Sequence, residues 1–528
     1  MRMDLGPVAR PTDDLLLEKL SELEYNFPSA RQHRLALRQI GSEYVYAAPC
    51  AVPGVGKSWT VLVRFSRAIE TTFGFTREAL VLYSRYRDLQ ARTFEALPDV
   101  IDSLPRRVGQ DTLFLYAPDP RLEIKLDEWS TAWFTVIPLP ELTPDVNRAA
   151  AVLVDSIKDR VFTRDLYYEA TPVSGERFFG RRRLLQSILQ DIRVQRACGI
   201  FALRRSGKTS VLHQISRLLR NAKDPDYVFI LRDLESLPSP PDDPIPELIS
   251  DLSQDVVQAL SANYVSTTYA RQLLQSHDIA SFRRGFQSIL RELATHNVRL
   301  VLALDEIEYL VPPNQVDLEN ADIQSIPQLL GALRSLVQEN KNFTFMISGL
   351  TSWIVESGRL YTRPNPLFSW MKMYFLSSFS VRDASELATI IGQKMGIEWT
   401  KRALAHVYVE SGGNPYLYRN LLSTVVGTLP VNVEKRIAEE QQVLGVVKSW
   451  RRSVAGNFRE MIDHVKLYYP GESYLLELLL NKDPEFEGLV KDDPQGISHL
   501  VQLGLIEELP DGAFRPSSVL RFAGRSRS

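Results

Sequence analysis

Cysteine is almost missing from this chain. Only Cys50 and Cys198 occur among 528 residues, far apart and without metal-ligating neighbours. That excludes a disulfide scaffold or a zinc module and fits a reducing compartment. Long apolar runs are missing too: no stretch approaches the ~18 residues that span a bilayer. The opening MRMDLGPVARPTDD carries no signal-peptide core, so a cytoplasmic protein without a membrane partner is expected. Histidine is sparse, and His33, His213, His277, His296, His406, His464 and His499 are scattered, forming neither a triad nor a metal cluster. No charge sign dominates either, with 62 Lys+Arg against 64 Asp+Glu and a net charge of −2. A protein gripping nucleic acid with its whole surface is thereby excluded, and any such contact needs a local patch. What is present is globular: 44% hydrophobic and 24% charged residues leave little room for long disordered stretches. At roughly 150 residues per domain the length predicts about three or four domains.

The texture changes along the chain. Leu15, Leu16, Leu20, Leu23 and Phe27 recur at helical spacing until Pro28. EYVYAAP, ALVLYS, DTLFLYAPD and WFTVIPLP then read as strands among helices, predicting a small, mostly parallel sheet within an N-terminal α/β domain over 1–165. YYEATPVSGE reads as a linker. Beyond it, GIFAL, YVFILRDL, VRLVLALD and FTFMISG are nearly continuous apolar strands separated by long helical stretches. Burial on both faces is implied, so the fold class is α/β, a doubly wound parallel sheet over 175–365. After Pro366 the sequence reads as helical, a lid over 366–460. The last part, 461–528, reads as helices and then a hairpin turning at Asp511-Gly512, the order of a winged helix.

Two motifs carry chemistry. Ala202-Leu-Arg-Arg-Ser206-Gly207-Lys208-Thr209-Ser210 lies between an apolar strand and a helix, the setting of a phosphate-binding loop. Gly207 lets backbone N–H groups approach phosphate oxygens at a helix N-terminus. Lys208 can reach β- and γ-phosphates, and Thr209 can ligate Mg²⁺. Ala202 replaces the motif's usual first glycine. Downstream, LVLALDEIEYL places Asp305 and Glu306 at the tip of a buried strand, where acids need a polar cleft. Asp305 can hold Mg²⁺, and Glu306 can orient or deprotonate attacking water. ATP and Mg²⁺ are the cofactors these motifs imply.

Together these residues resemble the additional-strand P-loop ATPases, especially the STAND and archaeal-type branch related to AAA+ proteins. Phe178-Phe179-Gly180-Arg181 resembles the motif that opens this fold and lies against adenine, with Arg182 where an acid is usual. LRRSGKTS resembles the branch's arginine-bearing loop and implies nucleotide contacts from Arg205, Ser206 and Ser210. FTFMISG resembles the sensor strand, with Ser348 watching the γ-phosphate. Gly412-Gly413-Asn414-Pro415 resembles the lid motif that brings Pro415 to the nucleotide. For an arginine acting in trans, Arg363 is the leading candidate and Arg334 another. The resemblance implies a slowly hydrolysing switch that oligomerises or engages a partner protein, in a bacterial defence or signalling context.

Other features are weaker. Pro53-Gly-Val-Gly56-Lys57-Ser58 looks like half of a second phosphate loop, with Val61, Phe65, Ile69 and Phe73 spaced for a helix after it. No strand ending in Asp-Glu comes after it before residue 160, so a glycine-rich turn is expected. Pro118-Asp119 and Glu123-x-Lys125 echo a metal-dependent nuclease signature, but the spacing favours a turn and a solvated helix start. DNA is a disfavoured partner: residues 466–528 carry seven basic and ten acidic residues. GISHLVQLG offers only Ser498, His499 and Gln502 as readers. The basic groups gather at Arg515, Arg521, Arg525 and Arg527. A DNA-handling ATPase remains the alternative function.

Overall fold

The computed structural model describes residues 13–52, 55–75, 78–104, 108–109, 111–222, 225–238, 242–263, 265, 268–311, 323–517 and 520. They divide into two compact units: 1–168 with 388–404 and 422–445, and 169–387 with 405–421 and 446–528. The helical region after residue 380 therefore contributes to both.

The first unit is built on a five-stranded sheet ordered β1-β2-β3-β4-β5: Glu43–Pro49, Ser58–Arg64, Ala79–Ser84, Thr112–Tyr116 and Thr135–Pro138. It is mixed, not mostly parallel. β1 to β3 form an antiparallel meander, and β3, β4 and β5 run parallel. The helix expected after Lys57 is instead β2, and only Arg67–Phe73 is helical. SWTVLVR is dominated by aromatic and β-branched residues, and its first six positions are all buried, which suits a central strand. The later segments complete this unit. β13 (Ile397–Trp399) pairs in parallel with β14 (Arg436–Ala438), and Trp399 Nε1 donates to Tyr167 Oη at 2.8 Å. Gly74 is required here, because a Cβ would lie 1.8 Å from the Gln393 carbonyl oxygen.

The second unit holds a wholly parallel sheet ordered β12-β6-β9-β8-β7. Its strands are β6 (Cys198–Phe201), β7 (Asp226–Asp233), β8 (Val298–Asp305), β9 (Phe343–Gly349) and β12 (Lys372–Phe375), with a small hairpin of β10 (Arg359–Leu360) and β11 (Arg363–Pro364) between. β12 corrects the reading of a purely helical region after Pro366. Period-two alternation feeds two layers. Leu300, Leu302 and Leu304 join one core with the helices Ile245–Ala262, Ile279–Thr295 and Ser325–Glu339. Val301 and Ala303 join the other, with Arg182–Arg193 and Lys208–Arg220. The chain leaves β6 for β7, two places beyond its neighbour β9, and returns to β6's other side as β12. Sheets of this kind bind ligands at such a reversal, outside the carboxyl ends of the strands. The unit ends in helices Pro470–Asn481, Glu485–Asp492 and Pro494–Gln502 and an antiparallel hairpin, β15 (Ile506–Glu508) with β16 (Phe514–Pro516). Gly512 turns that hairpin at φ +82°.

Candidate functional site

The loop Ala202–Gly207 leaves β6 and enters the helix Lys208–Arg220 through Gly207 at φ +86°, a backbone state that side chains resist. The helix's free N–H groups and its positive end thus open at the strand tip. Ala202 N donates to the Gly349 carbonyl of β9 at 3.2 Å, tying the start of the loop to the neighbouring strand. Lys208 is buried, its Nζ donating to the Ala202 carbonyl at 3.3 Å. Burial pushes its amine down, and Glu308, then Asp305 and Glu306, pull it back.

Asp305 ends β8 at 1% exposure and accepts three hydrogen bonds. Thr209 Oγ1 donates to its Oδ2 at 2.7 Å, the Glu306 amide to its Oδ1 at 3.0 Å, and the Ser348 hydroxyl also to Oδ1. These donors compensate a charge that burial alone would penalise. The sequence thus brings Thr209, Asp305 and Ser348 together from three elements. A hydroxyl and a carboxylate at this separation are hard oxygen donors suited to Mg²⁺ beside a phosphate. Thr209 and Asp305 are the residues that would hold it, and the ion would neutralise charge on the phosphates.

Glu306 is half-buried at φ +57°. Burial, then Glu308, Asp233 and Glu235, push its carboxyl up to about 7, a poise suited to taking a proton from water. Asp233, in register with Asp305 across β7 and β8, forms with Glu235 and Glu306 the one acidic grouping at metal-binding spacing among the described residues.

Arg181 buttresses the loop. Its guanidinium donates to the Ser206 carbonyl at 2.6 Å and lies 5.6 Å from the Phe379 ring centre. Gly180 and half-buried Phe179 precede it. Ser210 Oγ accepts the Val173 amide at 3.1 Å, tying the incoming segment to the loop helix. Arg205 is exposed and stacks 4.7 Å from the Tyr416 ring, next to Pro415 at the start of the helix Pro415–Val426. Arg204 pairs with Glu460. Arg363 donates to Gln324 Oε1 at 2.7 Å, and Arg334 to the Pro366 carbonyl at 2.7 Å. In this chain both candidate arginines therefore serve contacts with their own neighbours.

One residue escapes sequence reasoning. Glu308 is buried at 8% exposure, and its Oε2 accepts the Leu350 amide at 3.0 Å. Burial raises its carboxyl, with Lys208 the largest opposing influence. Its partner is a backbone amide, which leaves no side-chain signature. The usable signal is Gly349, where a Cβ would fall 2.5 Å from that same Oε2.

The weaker motifs resolve differently. Gly56 and Lys57 sit in the turn between antiparallel β1 and β2, with no helix to receive a phosphate. Lys125 Nζ donates to Asp119 at 2.8 Å, Asp88 at 2.5 Å and the Leu89 carbonyl at 3.0 Å, a satisfied ion pair. Among the expected DNA readers, His499 is buried between Glu356 and Glu472, and Gln502 donates to Ser498. Arg515 pairs with Glu507, while Arg521, Arg525 and Arg527 lie outside the described residues.

The geometry defines a doubly wound parallel α/β fold with a glycine-lysine loop and two acids at the strand tips. No protein-family model and no curated protein matches this sequence. Among solved structures the chain is similar to a Walker-type ATPase of Pyrococcus abyssi, with 13% identity and a TM-score of 0.48 over 68% of this chain and 99% of that one. It is also similar to the Aeropyrum pernix ORC2 protein in its ADPNP–ADP complexes, at 12% identity and TM-score 0.42 over 68% and 95% of the two chains. A third similarity is to the Thermotoga maritima RuvB Holliday junction branch migration motor, at 16% identity and TM-score 0.31 over 66% and 95%. No helix among the described residues is long and apolar enough to cross a membrane.

Proposed function

We propose that this chain is an ATP-binding, slowly hydrolysing molecular switch. The observation that carries the reading is the meeting of Thr209 with Asp305 at 2.7 Å beside buried Lys208. A lysine buried with one carbonyl partner stands ready for phosphate, and the hydroxyl–carboxylate pair fits the cation that accompanies ATP. Lys208 and the loop amides bind the phosphates, Glu306 takes the proton of attacking water, and Ser348 orients Asp305. The loop arginines, held by Tyr416 and Glu460, support a lid that answers to nucleotide. Closure changes the chain's conformation or assembly so that a partner protein is engaged. The resemblance to STAND ATPases supports bacterial defence or signalling as the setting, with Arg363 exchanging its Gln324 contact for one across a subunit boundary.

Particle size measured with and without ATP, in wild type and Glu306→Gln, tests this reading. A nucleotide-dependent change that persists longer in Glu306→Gln is expected. A Lys208→Ala chain that binds ATP and changes like wild type would sink it. A DNA-handling ATPase is the second reading, favoured by the three-helix-and-hairpin order of a winged helix at the end of the second unit. It requires duplex DNA to stimulate turnover with a steep salt dependence, and no stimulation at low salt eliminates it.

A further inference from the structure

Immediately after the strand carrying Ser348, eight residues run from Gly349 to Glu356, and both ends of this segment are pinned by buried polar groups. At the nucleotide end, the Leu350 amide is held by Glu308 at 3.0 Å, and the neighbouring Gly349 carbonyl accepts the Ala202 amide of the loop at 3.2 Å. At the other end, the Ser352 amide donates to Tyr469 Oη at 3.0 Å, and Ser352 Oγ donates to Glu356 Oε2 at 2.9 Å. Glu356 Oε1 then meets His499 Nε2 at 2.8 Å, while His499 Nδ1 meets Glu472 Oε1 at 2.6 Å. Tyr469 directly precedes the helix Pro470–Asn481, and Glu472 and His499 belong to the C-terminal three-helix module.

His499 is 6% exposed, Tyr469 5% and Ser352 0%. Both nitrogens of His499 face carboxylate oxygens, so both must donate, and the ring is an imidazolium. The rings of Phe375 and Tyr469 each lie 5.8 Å from it. A charge buried between two carboxylates is costly to separate from either, because each would be left unpaired. Satisfied buried networks of this kind are stiff and position-specific. A hydrophobic contact would allow the module to slide on the segment, whereas these directional bonds register it.

We propose that Gly349–Glu356 is a strut that transmits nucleotide occupancy to the C-terminal module, with Glu308 positioning its near end and His499 locking its far end. Phosphate reaching Lys208 draws the lysine off the Ala202 carbonyl, and the loop shifts against Gly349. Glu308, which holds the adjacent Leu350 amide, carries that shift into the segment. The displacement passes along the segment and reaches the module through Ser352–Tyr469 and Glu356–His499. Glu308, Tyr469 and His499 are positioning residues here. The inference rests on the nucleotide reading of the Lys208–Asp305 site and adds how that site is heard elsewhere.

The test is hydrogen–deuterium exchange on the full chain in a Glu306→Gln background, with and without Mg-ATP. Binding of a fluorescent ATP analogue is measured in parallel. The expected result is that nucleotide changes exchange in Pro470–Asn481 and Pro494–Gln502 by about fivefold or more. His499→Ala should cut that response to less than about twofold with analogue affinity kept within about twofold. Tyr469→Phe removes only a hydroxyl and should lower the response partway, so the inference stays testable if His499→Ala unfolds the module. Glu308→Gln keeps an acceptor for Leu350 and should retain more of the response than Glu308→Ala. A wild-type-sized response in both His499→Ala and Tyr469→Phe overturns the strut while leaving the nucleotide reading standing. So does analogue binding with no change in the module. Failure of the analogue to bind the unmutated site overturns both.

Discussion

Two loops in this chain carry nearly the same letters. Val55-Gly56-Lys57-Ser58 belongs to the first unit and Ser206-Gly207-Lys208-Thr209 to the second. The first is the turn of an antiparallel hairpin, and the second opens a helix after a central parallel strand. The residues downstream of each motif decide which structure forms. SWTVLVR is a run of aromatic and β-branched residues that pairs on both sides as β2. SVLHQISRLL repeats apolar residues at three and four, burying Val211, Leu212, Ile215 and Leu219 on one face of a helix. Without a helix there is no dipole end and no fan of free amides. A glycine and a lysine alone do not make a phosphate site.

The most damaging test of that comparison removes each of the two lysines. Lys208→Ala should weaken ATP binding by about a hundredfold, as loss of a close charge pair to phosphate costs roughly 3 kcal/mol. Lys57→Ala should leave the affinity within about twofold. Equal losses in the two variants would break the comparison. Glu306→Gln sharpens it from the chemical side. Turnover should fall by about a hundredfold or more, the size expected of a lost general base, while binding persists. Steady-state hydrolysis set against analogue binding separates the two effects.

The second comparison concerns lysines near acids. Lys125 is fully engaged by Asp119, Asp88 and the Leu89 carbonyl, whereas Lys208 has one hydrogen-bond partner among the described residues, a carbonyl at 3.3 Å. A satisfied pair is structural, whereas an ammonium with spare donors can take a phosphate. Lys125→Ala should therefore cost about 2 kcal/mol of stability, because it leaves the buried carboxylate of Asp119 with only the Leu89 and Arg121 amides as partners among the described residues. Lys208→Ala should leave ligand-free stability unchanged or raise it. Thermal melts of both variants without nucleotide decide, and a comparable loss from Lys208→Ala would contradict the division.

Much of this is legible in the sequence, and the failures have physical causes. The parallel strands of the second unit, the loop and Asp305-Glu306 announce themselves because burial on both faces forces continuous apolar runs. β2 reads as a helix because Val61, Phe65, Ile69 and Phe73 are spaced for one, although Ser66, in extended backbone, breaks the element and caps Arg67–Phe73. Strand β12 is four residues long, and none of its positions is fully buried, so it shows no pattern. The arginines around the loop suggest readiness for an anion, yet Arg181, Arg182, Arg204 and Arg205 are already engaged by Ser206, Glu386, Glu460 and Tyr416. Such partners lie far along the chain, and composition cannot name them.

The smallest effect expected is also a comparison, between one buried histidine in each unit. Burial lowers His499, but its bonds to Glu356 and Glu472 outweigh that and raise it to about 9; the Tyr469 ring lies beside it. His33 is pushed down by burial, which outweighs its bond to the Pro140 carbonyl and the nearby Glu141; Tyr83 faces its other nitrogen. The signs are opposite. A raised histidine stabilises the fold fully below its unfolded value near 6.5, and that contribution is lost as pH climbs through about 9. A lowered histidine costs nothing at high pH and destabilises as pH falls below about 6.5, where the unfolded chain gains a proton that the fold refuses. Between about pH 7.5 and 9 the His499 contribution should shrink by roughly 1–2 kcal/mol. His499→Gln should therefore be less stable than wild type at about pH 7 and converge on it above about pH 9, whereas a His33→Gln chain should differ in its acid limb. Melting curves for both variants across roughly pH 5 to 9.5 measure this. If the His499→Gln deficit is the same at every pH, His499 is not the charged group at the far end of the strut.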